Sequence, residues 1–201
     1  MRKDKLAEDL LTLVTTRERA VTIVGDLVEV SQETGRFWPL VARTAAHQLW
    51  GQFTAAPGAM LRAGLRIQFL ELGLAVVFGI PFILGLALLV AISHAVYQAY
   101  PPRSLLLSLG MIFWGAISFQ VGRVIARRYP GRELAVLCSL LALQHVIGAI
   151  AEFGFLMARG ATPAGLVQTA GSSLGSTVLD LLVVGGGIFY QRAKLRRFML
   201  Q

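Results

Sequence analysis

"LGLAVVFGIPFILGLALLVAISHAVY", residues 72–97, runs for 26 positions without an Asp, Glu, Lys or Arg. About 20 consecutive apolar residues suffice for a helix to cross bilayer hydrocarbon. The stretch therefore predicts a membrane span, and with it the class of the whole chain. Pro81 falls inside it, but a proline in a spanning helix kinks the rod and leaves it one span. Three further stretches qualify: 104–122 with no charge, 134–158 with the single acid Glu152, and 166–190 with the single acid Asp180. Breakers separate them, "YPPRS" at 100–104, "RRYPGRE" at 127–133 and "RGATPAG" at 159–165. The expected fold is all-α, a polytopic membrane protein with a four-helix transmembrane bundle at 70–191. A helical region at 1–69 precedes the bundle and a basic tail at 192–201 follows it.

Composition agrees. The 201 residues are 55% hydrophobic and only 15% charged, with a mean hydropathy of +0.65. Soluble domains carry about 25% charged residues. The net charge of +8 invites a nucleic-acid reading, but no basic patch stands apart from a membrane flank, so the expected partner of the charge is a bilayer with anionic headgroups. Nine Lys/Arg precede the first span, four lie in 123–133 and four follow the last span, against one in each remaining loop, Arg103 and Arg159. The positive-inside rule then places both termini in the cytoplasm. An odd number of spans would strand one basic cluster outside. Sixteen of the nineteen basic residues are Arg, as in a GC-rich bacterial genome, so the expected location is a bacterial inner membrane. Glu8 and Asp9 interrupt what would be the apolar core of a signal peptide, which leaves the first span to direct insertion.

The region 1–69 reads as three short helices. Leu6, Leu10, Leu13 and Val14 recur at helical spacing in the first. Thr15 and Glu18 have the spacing of a capping box at the start of the second, which carries an apolar stripe of Val21, Val24, Leu27 and Val28 and ends near Gly35. Pro39 opens the third, about 39–54, at a favoured first position. Trp38, Trp50 and Phe53 suit a helix lying at the membrane interface. Three short helices bury too little to stand alone, so this head is expected to lean on the membrane or on a partner.

Within it, "RERAVTIVGDLVEVSQETGRFWPLVART" at 17–44 contains Gly25, Asp26, Leu27 and Glu29, followed by Phe37, Trp38 and Arg43. This pattern resembles the short cytoplasmic prefix that precedes the first span of bacterial ABC-type permeases of the macrolide-exporter kind. Similar stretches head small stand-alone membrane proteins. The resemblance covers about 15–53. Val30 departs from it, standing where the prefix has a second acid, and no long extracytoplasmic domain lies between the spans. The resemblance implies a docking segment, with Gly25, Asp26, Leu27 and Glu29 facing a permease or another membrane protein. The alternative is that Gly25 interrupts the helix for close packing while Asp26 and Glu29 belong to a solvated acidic face.

Asp180 is the only Asp, Glu, His, Lys or Arg from 160 to 191. On insertion scales an Asp at a helix centre costs about 2.5–3.5 kcal/mol, so the last span needs a neighbour. Gly171, Gly175, Ser172 and Ser176 form a small-residue strip that lets one approach, with Gly185, Gly186 and Gly187 continuing it; a homo-oligomer is a further candidate. The third span offers His145, Gly148 and Glu152 on one face. His145 and Asp180 fall near the centres of their spans, which predicts that they meet, with Gln144 or Thr177 as further hydrogen-bond partners. Such a pair is either an intramembrane proton or cation site, with Glu152 further out, or polar glue that fixes helix register.

Enzymatic and cofactor motifs are absent. The single Cys138, three scattered histidines, and the lack of Gly-Lys-Ser/Thr and Gly-x-Ser-x-Gly leave no metal, phosphate or nucleophile signature. No cofactor, metal or catalytic residue is expected. The expected function is a non-enzymatic accessory or regulatory membrane protein docking a partner of an ABC-type transport system. The alternative is a small transporter or channel using Asp180, His145 and Glu152.

Overall fold

The breaks in the apolar pattern end helices, and the apolar runs form them. The computed structural model describes the backbone of residues 3–34, 36–158 and 163–199, and the side chains at 3–32, 36–150 and 177–195. The described residues are all-helical: α1 (Lys3–Leu11), α2 (Arg17–Thr34), α3 (Phe37–Ala55), α4 (Pro57–Tyr97), α5 (Arg103–Arg128), α6 (Glu133–Ala158) and α7 (Pro163–Met199). Among them α4, α5 and the Glu133–Ile150 part of α6 are long and apolar enough to cross a membrane. Helix α7 is 37 residues long, or about 56 Å at 1.5 Å per residue.

Helix α4 runs unbroken through Pro81 and across the expected boundary at residue 69. Pro57 opens it, where a proline sacrifices no helical hydrogen bond. Its buried residues include Met60, Ala63, Gly64, Ile67 and Glu71, a stripe at helical spacing. That stripe faces α6, where a Cβ added to Gly64 would come within 2.9 Å of the Ser139 Cβ. The hydroxyl of Ser139 donates back to Ala135 O at 2.9 Å, so a small polar residue sits at the crossing with its own helix satisfying it.

Helix α7 finds its main neighbour in α5 rather than in α6. A Cβ on Gly122 would lie 2.0 Å from Val184 O, and one on Gly187 would lie 2.2 Å from Phe119 O. The two backbones therefore touch, and only glycine fits at either position. Gly185 and Gly186, expected to extend the close-packing strip, have open space where a Cβ would go; each further residue turns the helix by about 100° away from the contact. The bundle thus consists of an α4/α6 pair and an α5/α7 pair. Phe82 of α4 stacks on Phe113 of α5 at 4.4 Å between ring centroids, and Ile67, Val121, Ile125, Val136, Leu140 and Val184 fill the space between the helices.

Helices α1–α3 build a second, small core from Ala7, Leu11, Val14, Ala20, Val24 and Val41. The first helix turns a different face inward from the one its leucines suggest: Ala7, Leu11 and Val14 are buried, while Leu6 and Leu10 are exposed. In α2 the inner face likewise centres on Ala20 and Val24, and Val21 is exposed. Leucine content pointed to one stripe, but a short three-helix core has room for an alanine at each close approach.

The head leans on the bundle. After α1, Leu13 enters the bundle core and Val14 the head core, and Leu134 touches both. The N–H of Leu134 donates to Leu13 O at 3.2 Å. Gly131, in the α5–α6 turn, has φ +77° and a Cβ there would lie 3.0 Å from the carbonyl of Thr15. The left-handed backbone and the crowding both require glycine.

Candidate functional site

Two polar clusters lie between the helices. The first joins head to bundle. Arg192, in the expected basic tail, is part of the continuous helix α7. Its Nε and Nη2 donate to Glu133 Oε1 at 2.9 and 2.5 Å. Nη2 also reaches Thr12 O at 2.5 Å, and Nη1 donates to Thr12 Oγ1. Glu133 is 1% exposed. Three elements far apart in sequence are thus held by one guanidinium, whose planar fork suits several acceptors at once. Gln52 of α3 adds a second tie, donating from Nε2 to Val14 O at 2.5 Å and to Gly131 O at 3.0 Å.

The second cluster lies at the seam between the two helix pairs. Glu71 of α4 is 2% exposed, and its Oε2 accepts a hydrogen bond from Gln144 Nε2 of α6 at 2.7 Å. His145, the next residue on α6, places Nδ1 2.7 Å from Leu141 O. A carbonyl only accepts, so Nδ1 carries a proton and Nε2 is left facing the Thr177 hydroxyl of α7. One turn further along α7, the Asp180 carboxylate receives the indole N–H of Trp114 from α5 and lies within electrostatic range of His145. Asp180 and Glu71 also feel each other's charge. Glu71–Gln144 closes the first pair, Trp114–Asp180 the second, and His145–Thr177 bridges them.

Among the described residues no hydrogen bond or ion pair joins His145 to Asp180; His145 meets Thr177 instead, one turn before Asp180 on α7. Gln144 serves Glu71 instead, because adjacent residues on a helix point about 100° apart. Glu71 extends the cluster toward the arginine-bearing end: it is five residues beyond Arg66, about 7–8 Å along the axis, whereas Asp180 is twelve residues, about 18 Å, from Arg192. His94, at the other end of α4, sits against Tyr100 with centroids 4.9 Å apart. It is about 35 Å from Glu71 along the helix. Gln120 accepts from Arg123 at 2.9 Å, outside the cluster. The side chain of Glu152 and the strip from Gly171 to Ser176 lie outside the described side chains.

Glu71 is the residue the apolar window missed. A span counted from Leu72 treats the preceding acid as a flank, whereas the stripe Met60–Gly64–Ile67–Glu71, continued back through the head, puts it on the buried face. Glu133 and Arg192 had only loop and tail character in the sequence; no local signal pairs residues 59 positions apart.

In the head, Gly25, Asp26 and Glu29 are exposed on α2, while Leu27 is half-buried against the head core. Helix α2 passes through Gly25 without interruption, and a Cβ there would meet nothing within 4 Å. Trp38 and Trp50 are exposed on α3, Trp50 at 68%, and Phe53 is half-buried. Among the described residues no group of three His, Cys, Asp or Glu side chains could hold a metal. No family model, curated protein or solved structure matches the chain.

Proposed function

We propose that the chain is a non-enzymatic accessory or regulatory protein of the bacterial inner membrane that docks a partner membrane protein through its head. In this reading α7 is a fourth span and both termini are cytoplasmic, as the distribution of Lys and Arg requires. Gly25 carries the reading. A glycine inside a helix costs about 0.5–1 kcal/mol relative to alanine, and no contact within the chain accounts for this one. Asp26 and Glu29 are exposed on the same helix. A partner backbone approaching α2 accounts for the glycine, and the resemblance of 15–53 to a permease prefix names the kind of partner: an ABC-type permease. The tie through Arg192, Glu133 and Thr12 supports a mechanical role, because it joins the docking head rigidly to the bundle.

Purification in mild detergent, with and without Gly25→Leu, tests the reading. The variant keeps its folded yield, since the site is open, and loses a stoichiometric permease that the parent retains. A parent that carries no permease, or a variant that keeps it, overturns the reading. The seam favours a second reading, a small transporter or channel built on Asp180, His145 and Glu152. Ion flux from the pure protein in vesicles decides for or against it.

A further inference from the structure

We propose that Glu71, His145 and Asp180 form a proton-binding site at the seam between the α4/α6 and α5/α7 helix pairs. The site takes up one exchangeable proton. It rests on the site of the second reading and deepens it by adding Glu71, and it holds whether or not a partner docks or an ion crosses.

Charge balance is the first ground. Two carboxylates and one imidazole converge from three helices, and among the described residues the only ion pairs lie elsewhere, at Arg17–Glu8 and Arg192–Glu133. The groups that do bind the two acids are neutral, the Gln144 amide and the Trp114 indole. Two like charges packed into a medium of low dielectric disfavour each other, and each alone is costly there. A proton is the smallest ligand that relieves both costs, and the set is not one that holds a metal. Ionisable groups inside a membrane domain mark such sites as a rule.

The hydrogen-bond pattern is the second ground. With Nδ1 donating to Leu141 O, neutral His145 accepts the Thr177 hydroxyl at Nε2; once protonated, Nε2 donates to the same oxygen. The bond persists in both states with its direction reversed, so the bridge between the helix pairs survives proton uptake. One turn before Glu71, the Oε1 atom of Gln68 is buried and accepts no hydrogen bond among the described residues. It is an acceptor of the kind that a protonated carboxyl or a water bound beside it satisfies. Access is the third ground: a groove of about 360 Å³ between α5 and α7, lined by Leu106, Met111, Trp114, Leu179 and Asp180, leads from Asp180 toward the Arg103 end of α5. Helix α5 brings the Trp114 indole to the seam, and its ionisable residues, Arg103, Arg123, Arg127 and Arg128, lie nine or more residues from it.

Infrared difference spectroscopy of the full chain in lipid, recorded while the pH is stepped, reads the proton directly. The wild type shows a protonated-carboxyl band that disappears reversibly as pH rises. Glu71→Gln, which keeps the volume and a hydrogen-bonding amide, removes or halves that band, and Asp180→Asn displaces its midpoint. A wild-type spectrum with no titrating carboxyl band overturns the proposal without recourse to any variant. A band unchanged by both substitutions overturns it too, by assigning the proton to another acid. Neither result bears on co-purification of a permease or on ion flux.

Discussion

The head–bundle junction and the seam both bury acids between α6, α7 and their neighbours, yet they treat the charge in opposite ways. At the junction Glu133 is met by a guanidinium that donates twice to one oxygen and also ties Thr12. At the seam Glu71 and Asp180 meet an amide and an indole. A buried acid held by a guanidinium keeps a counter-charge at its side, although Glu133 Oε2 is buried without a hydrogen bond of its own among the described residues. An acid held by neutral donors can change its charge while its neighbours stay in place. The first arrangement suits a lock, the second a site that responds.

The largest effect that would break this contrast is at the lock. Arg192→Met removes the cation and leaves Glu133 buried without it, which costs about 3–5 kcal/mol for such pairs. Thermal unfolding in detergent should show the loss, with α1 released first because Thr12 also loses its donors. The double variant Arg192→Met, Glu133→Leu should recover much of it, since replacing both partners by apolar groups is often near neutral. A single variant as stable as the parent would mean that the junction is not held by charge at all.

Next in size is the helix that connects the two regions. Helix α7 carries Arg192 at the junction and Asp180 at the seam, and it is set against α5 by backbone contact at Gly187. Gly187→Ala puts a methyl 2.2 Å from Phe119 O, so α7 must move. Overpacking of this kind costs about 1–3 kcal/mol, occasionally more. Because one rod serves both clusters, the Arg192–Glu133 tie and the Trp114–Asp180 contact should loosen together. Hydrogen exchange at α1 and Trp114 fluorescence, in a chain whose other tryptophans are replaced, should therefore change in step. Change at one end alone would show that α7 bends between them.

How much of this could be read from the sequence follows the same division. The apolar windows and the breakers Pro101, Pro102, Pro130 and Gly131 made α5 and α6 legible, because helix length and hydropathy are local quantities. The contact of His145 with Thr177 was legible in part, since depth placed the two near each other. Glu71 was not, because a window that stops at the first charge cannot see that α4 keeps the same buried face for about three turns before it, back to Met60. The α5/α7 crossing was half legible: the glycine run at 185–187 announced a close approach, but Gly122 on the partner helix is a single glycine with nothing to mark it. The Arg192–Glu133 pair was illegible for a different reason. Each residue sits in a charged segment that satisfies the positive-inside pattern, and only the docking of α1 buries them. In the head the expected stripes held in part: Leu13, Val14 and Val24 are buried, whereas Leu6, Leu10 and Val21 are exposed and Ala7 and Ala20 take the inward places.

The smallest effect is also the sharpest test of the contrast. Thr177→Val replaces the hydroxyl that faces His145 Nε2 by a methyl of nearly equal volume. Hydrogen bonds between membrane helices average about 0.6 kcal/mol, with a maximum of about 1.7, because the separated helices find other partners. The expected loss is therefore a small fraction of that at the junction. It should be measured as the coupling energy in a cycle with His145→Phe, which cancels the packing change common to both. A coupling near 0.6 kcal/mol fits a bridge that holds the helix pairs in register yet lets the imidazole change state. A coupling of about 3 kcal/mol or more would put the seam in the same class as the buried ion pair. His145 would then be clamped as firmly as Arg192, and the seam would be a second lock rather than a place where charge can move.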